Sequence, residues 1–247
     1  MEVISQVWRS DLALLALDGV AVKHHATYVV AESGLLLLRR APLRRDVARW
    51  TALAESLFPD GRPIVVGVDD PGAAQSDLAA FEEVGFTVGT SIALVAEAGD
   101  VASVPATRYD VRPLVSEEEW QARARVLPLR HDEKAAADQI AAERRLSEAG
   151  NGTWWGGFEG LRLVGAAGIV VLGTHSRCQG VDLDPVARGT GLAARLVAAS
   201  VQHAGAAQGA TTSMVVAAKG HSAISLYEEV GFRRSEAQVR ASRPGAR

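Results

Sequence analysis

The segment Val181-Asp182-Leu183-Asp184-Pro185-Val186-Ala187-Arg188-Gly189-Thr190-Gly191-Leu192-Ala193 holds residue types suited to gripping a phosphate. A β-rich run ends, a loop turns, and a helix begins on small residues. The first turn of a helix carries unpaired N–H groups and a partial positive charge, and together these favour a pyrophosphate. Gly189 and Gly191 let the backbone approach phosphate oxygens, Ala193 keeps the first turn uncrowded, and Arg188 adds charge-assisted hydrogen bonds. A glycine-rich left-handed turn used only for packing is the other reading of the same residues. The loop is not a Walker A motif, since no Gly-Lys-Ser/Thr follows, and it lacks the three-glycine dinucleotide fingerprint.

The elements that must position this loop can be read from periodicity. Two segments end alike: Ser76-Asp77-Leu78-Ala79-Ala80-Phe81-Glu82-Glu83-Val84-Gly85-Phe86 and Ser222-Ala223-Ile224-Ser225-Leu226-Tyr227-Glu228-Glu229-Val230-Gly231-Phe232. Each lies between two β-rich runs, so a strand, helix, Gly-Phe, strand unit occurs twice and predicts two related domains in tandem. The periodicity breaks around residues 98–107, giving domains of 1–104 and 105–247. In the second, a strand at Tyr109–Arg112 leads to a helix capped by Ser116 with Glu119 in the capping-box position, stopped or kinked at Pro128. A helix over Ala135–Ala149 follows, then strands Thr153–Phe158, Leu163–Leu172 and Arg177–Leu183, and a long helix from Leu192 to about Ala206. With the repeated unit, the order is β-α-α-β-β-β-α-β-α-β, an α/β fold on a mixed sheet.

Composition narrows the partners. The 247 residues are 48% hydrophobic with a formal net charge of −3, which offers no general pull toward nucleic acid or an anionic membrane. A small molecule or a protein is the expected partner. Cys178 is the one cysteine, so no intrachain disulfide is possible, and the N-terminus does not read as a signal peptide; both fit a cytoplasmic location. The histidines show no metal-ligand spacing, so no metal is expected.

Taken together, Arg188-Gly189-Thr190-Gly191-Leu192-Ala193 and the later Ala223, Leu226, Tyr227, Gly231 and Phe232 resemble the two signatures of the GNAT superfamily of N-acetyltransferases. Gly152-Thr153-Trp154-Trp155-Gly156 and Arg177-Cys178-Gln179-Gly180-Val181 resemble a tandem GNAT-like subgroup whose N-terminal domain is degenerate. Degeneracy fits the first half, which has Phe81 where the second has Tyr227, and Arg40-Ala41-Pro42-Leu43 in place of a glycine loop.

The resemblance implies acetyl-CoA as cosubstrate, with Arg188 to Ala193 around its pyrophosphate and the backbone of Val181 and Leu183 bonded to pantetheine. It implies transfer of acetyl to a primary amine of a small-molecule acceptor, with Tyr227 lying against the cofactor and acting as the acid. A non-catalytic acyl-CoA sensor or scaffold is the alternative. Gln179 stands where several members have a catalytic Glu, and an amide cannot act as a base. Asp182, one residue off in the strand alternation, is then a candidate to take the amine's proton, as is Glu159 on the hairpin. Trp155 and Arg145 are the candidate acceptor-binding residues. Pseudo-twofold packing of the two domains predicts a monomer resembling a dimer, with a true homodimer as the other arrangement.

Overall fold

A computed structural model describes residues 2–126 and 133–245 and groups the chain into two compact units. The first comprises Met1–Ala93, Val216–His221 and Ser235–Arg247, the second Leu94–Val215 and Ser222–Arg234. The chain therefore passes between units more than once. Pro128, expected to end a helix, lies outside the described residues.

In order, the elements are α1 (Gln6–Leu17), β1 (Val22–His24), β2 (Tyr28–Ala31), β3 (Leu35–Leu38), α2 (Val47–Leu57), β4 (Ile64–Val68), a 3-10 helix (Ala79–Val84) and β5 (Thr87–Glu97). Then follow β6 (Asp110–Pro113), α3 (Glu117–Val126), α4 (Glu133–Glu148), β7 (Gly152–Glu159), β8 (Arg162–Leu172), β9 (His175–Leu183), α5 (Leu192–Gln208), β10 (Thr212–Ala218), α6 (Ala223–Val230) and β11 (Arg233–Arg243). From β6 onward this is the order read from the sequence.

In the first unit the strands run β1-β2-β3-β4-β11-β5, with β3 parallel to β4 and β11 antiparallel to β4. The four leucines of β3 are all buried because both faces of the sheet are covered. Leu35 and Leu37 pack with Trp8 and Leu12 of α1, whereas Leu36 and Leu38 pack with Val47 and Ala54 of α2. Gly67 on β4 lies flat under the Trp8 indole: a Cβ there would stand 2.3 Å from Cζ2.

In the second unit the strands run β10-β9-β8-β7-β6, antiparallel except where β9 meets β10. On one face, Leu192 and Leu196 of α5 pack with Tyr109, Val164 and Ala167. Gly157 and Gly165 make room for Leu192, since a Cβ on either would approach its side chain to within 2.6 and 3.0 Å. Trp120 of α3 meets Trp154 of β7 on the other face, with ring centroids 6.0 Å apart. The expected capping box is present at α3: the Ser116 amide donates to Glu119 Oε2 at 3.0 Å, and the Glu119 amide donates to Ser116 Oγ at 3.3 Å.

Candidate active site

Strand β9 carries one residue too many. Gly168 of β8 pairs with Gln179 and Ala166 pairs with Asp182, so two steps along β8 match three along β9. Gly180 absorbs the extra residue in the left-handed region, at φ +55°, a β-bulge that costs a glycine little. Beyond it the alternation is offset, which puts Asp182 on the side of α3 and turns Val181 and Leu183 onto the side of α5. Simple alternation had set Asp182 and Gln179 on opposite faces; the bulge brings them to the same one.

Asp182 meets a buried arginine there. Arg123 of α3 is fully buried, and its Nη2 donates to Asp182 Oδ2 at 2.8 Å, to Glu143 Oε1 of α4 at 3.1 Å and to the Gly180 carbonyl at 3.3 Å. Its Nε donates to Glu143 Oε2 at 3.1 Å, and Gln139 adds an amide bond to Glu143 Oε1 at 2.9 Å. Nη1 is buried with no hydrogen-bond partner among the described residues. Two carboxylates thus share one guanidinium, an arrangement in which removing the cation strands buried negative charge. Neither Arg123 nor Glu143 was singled out in the sequence. The available signal was an arginine between Trp120 and Val126, and a glutamate three residues before Leu146, each in a core-facing stripe.

Tyr227 reaches the same neighbourhood from α6. It is 5% exposed, and burial pushes its phenol above the ordinary tyrosine range, with the nearby Cys178 and Asp182 adding to the effect. The Cys178 thiol is pushed up to about 12 by burial, against a smaller opposing pull from Arg177. Gly231, at φ +112°, ends α6, and the Phe232 amide donates to the Tyr227 carbonyl at 3.0 Å. A Cβ on Gly231 would stand 2.7 Å from the Asp100 carbonyl oxygen, so glycine is required both by conformation and by space.

The loop after β9 is shaped by its own side chains. Asp184 caps the short turn Pro185–Ala187, accepting from the Val186 amide at 3.0 Å and from Arg162 Nη2 at 2.7 Å. The Val186 bond first, then Arg162, holds its carboxyl below the usual range. Thr190 turns its hydroxyl back to the Ala187 carbonyl at 2.6 Å. Gly189 and Gly191 follow at φ +70° and +80°. Gly191 is the N-cap of α5 and has no side chain to cap it, so the first-turn N–H groups beside exposed Arg188 keep their capacity for an anion. Leu192 and Ala193 are buried beneath them. The β9–β10 ladder pairs only His175–Arg177 with Thr212–Met214, and β9 runs on to Leu183 past that point.

Trp155 packs on the α5 side, edge-on to His203 at 5.6 Å, and the strand pleat gives the α3 side to Trp154 instead. Arg145 lies on the exposed face of α4, two residues from the inward Glu143. Glu159 on the hairpin is paired with Arg108 at 3.2 Å.

Residues 116–232 match the acetyltransferase (GNAT) family. The chain carries a GNAT acetyltransferase domain. Solved structures share the fold over nearly the whole chain. A GCN5-related N-acetyltransferase from Kribbella flavida is 16% identical, with a TM-score of 0.70 over 100% of this chain and 97% of that one. A functionally unknown conserved protein from Staphylococcus epidermidis is 11% identical, with a TM-score of 0.73 over 91% and 93%. A tandem GNAT protein from the clavulanic acid biosynthesis pathway is 14% identical, with a TM-score of 0.60 over 97% and 94%. At these identities the likeness is one of fold. No curated protein matches the chain. The GNAT match takes in Arg123, Glu143, Asp182, the glycine loop and Tyr227. Among the described residues no helix is long and apolar enough to cross a membrane.

Proposed function

We propose that the GNAT domain transfers an acetyl group from acetyl-CoA to a primary amine on a small molecule. The observation that carries this is the uncapped start of α5, entered through two positive-φ glycines, at the end of a strand that has parted from β10. The residues fit the cofactor. Arg188 and the N–H groups of Thr190 to Ala193 would hold the pyrophosphate, and the Val181 and Leu183 backbone would bond pantetheine as an added strand. Bound acetyl-CoA supplies the activated acetyl thioester.

The chain's own contribution is then proton management. An alkyl ammonium has a pKa of roughly 10 and must lose its proton before it can attack. Gln179 cannot take that proton, and Asp182 is already paired with Arg123. In this reading the neutral fraction of the amine reacts, and its rate climbs as pH rises toward the amine's own pKa. Tyr227 keeps its phenolic proton through the working range because burial opposes the phenolate. As the C–S bond breaks it passes that proton to the departing thiolate, whose conjugate acid has a pKa of roughly 8.5, and it is reprotonated, through water, by the proton that the attacking nitrogen sheds on becoming an amide.

Calorimetric titration of acetyl-CoA, followed by thiol release over a panel of primary amines, tests the reading. Binding with amine-dependent thiol release is the expected result. Gln179, in the place of a base, favours one rival, a non-catalytic acyl-CoA sensor. Binding without thiol release from any amine would select that rival, and no binding of any acyl-CoA would reject both.

A further inference from the structure

Full burial keeps Arg123 from touching an acceptor or a cofactor. What it touches is the bulge. A Cβ on Gly180 would stand 2.7 Å from Arg123 Nη2 and 3.2 Å from Glu143 Oε1, so no side chain separates the β9 backbone from the ion pair. Nη2 gathers the Gly180 carbonyl and Asp182 Oδ2, both within the bulged stretch, while Nε and Nη2 together tie the guanidinium to Glu143 on α4. The bulge decides which way Val181, Asp182 and Leu183 face. Without a clamp, a strand with an unpaired bulged residue can slip by one and send each of those groups to the wrong side.

We propose that Arg123 is the positioning residue of this site. It holds the β9 bulge, and through the bulge both the Val181–Leu183 backbone and the Asp182 carboxylate. Helices α3 and α4 are thereby coupled to the strand that would bond the cofactor. The part of this that concerns acetyl-CoA rests on the transferase reading above, whereas the hold on the bulge does not.

The test uses the full-length protein and the variants Arg123→Met, Arg123→Lys and Glu143→Gln. Amide hydrogen exchange of Asp182 and Asp184, which face β8 across Ala166 and the Val164 carbonyl, is compared with that of Ile169 and Val170 on β8 in the free protein, and acetyl-CoA is titrated into each. Arg123→Met should speed exchange at Asp182 and Asp184 at least tenfold, leave Ile169 and Val170 within twofold, and weaken acetyl-CoA binding at least tenfold. Arg123→Lys, which can reach one of the bulge oxygens at a time, should recover part of both losses. Uniform acceleration across β8 and β9 would overturn the proposal, since Arg123 would then be only a core contact. Unchanged exchange at Asp182 and Asp184 would do the same. If Arg123→Met does not fold, Glu143→Gln decides: it keeps the volume, weakens the hold on the guanidinium, and should give an intermediate, localised acceleration. A wild-type protein that binds no acyl-CoA would sink the transferase reading while the exchange pattern still judged the clamp.

Discussion

The segments ending in Gly85-Phe86 and Gly231-Phe232 share a local frame and differ in what that frame presents. In each, a left-handed glycine stops a helix, at φ +87° and +112°, and the next amide donates to the carbonyl five residues back, at 3.1 and 3.0 Å. In each, an aromatic ring packs against the closing phenylalanine, at 5.4 Å for Phe81 and 6.2 Å for Tyr227. The first helix is wound as 3-10 and the second as α. Phe81 has no polar atom, whereas Tyr227 places a phenol near Asp182 and Cys178. The loops before the two long helices differ in the same sense: Arg40-Ala41-Pro42-Leu43 before α2 lacks both glycines and has a residue without an N–H, and Gly189 and Gly191 precede α5. A fold unit can thus be kept for packing alone, while chemistry requires a few substitutions at its helix starts and ring positions.

Making the second region resemble the first should have the largest effect. Tyr227→Phe restores the ring found at Phe81 and removes only the hydroxyl. It should lower kcat by about 10²–10⁴-fold, the usual range for a lost general acid, while acetyl-CoA affinity measured by calorimetry changes little. An unchanged kcat would mean that Tyr227, like Phe81, is there to pack. Next in size is Arg188→Glu, which puts a like charge beside the expected pyrophosphate. Affinity for acetyl-CoA should fall about 10–100-fold, in line with one charge-assisted hydrogen bond, with the thermal midpoint unchanged because Arg188 is exposed.

Two glycines sharpen the contrast between a packing role and a packing role that also serves a site. Gly67→Ala in the first unit meets the Trp8 ring at 2.3 Å, and Gly165→Ala in the second meets Leu183 Cδ2 at 2.5 Å and Leu192 Cδ2 at 3.0 Å. Each should destabilise the protein by about 1–3 kcal/mol in urea unfolding, the usual cost of overpacking. Only Gly165→Ala should also weaken acetyl-CoA binding, because Leu192 begins the helix that would hold the pyrophosphate. Equal effects of both on binding would mean that affinity follows stability alone.

How much of this was legible in the sequence depends on the range of the interaction. Strands and helices of the second half fall within a few residues of their expected limits, because each is set by its own apolar period and punctuated by its own glycines. The α5 loop was legible for the same reason. The β9 bulge left one local sign, a glycine inside a strand, but its effect on the facing of Asp182 depends on pairing with β8. Arg123 with Glu143 is a contact across 20 residues of chain, joined to Asp182 a further 39 along, and no local pattern encodes it. For Trp154 and Trp155, alternation separates their faces without saying which face α3 covers; the packing makes Trp154 the core residue and leaves Trp155 partly exposed. The 3-10 winding of the first repeat was also hidden: the Ala74 amide donates to the Asp77 carboxylate at 2.8 Å just ahead of it, a turn closed by a side chain.

The smallest effect is silent at neutral pH and concerns Cys178. Its folded-state pKa is raised to about 12, against roughly 8.5 for a thiol in the unfolded chain. Between those values the unfolded chain releases a proton that the folded one keeps, so stability falls as pH rises through that window and is fully retained below it. Tyr227 acts in the same direction above the ordinary phenol range, whereas Phe81, its counterpart, cannot ionise. Cys178→Ala should therefore match wild type in its pH dependence up to about pH 8 and lose stability less steeply between about pH 9 and 11, read by urea unfolding at each pH. Alkylation of wild-type Cys178 with iodoacetamide should be slow at pH 8 and should accelerate along the same curve, because the thiol is reached only when the second unit opens. Rapid labelling at pH 8 in the folded protein would show that β9 opens on its own, without unfolding of the second unit.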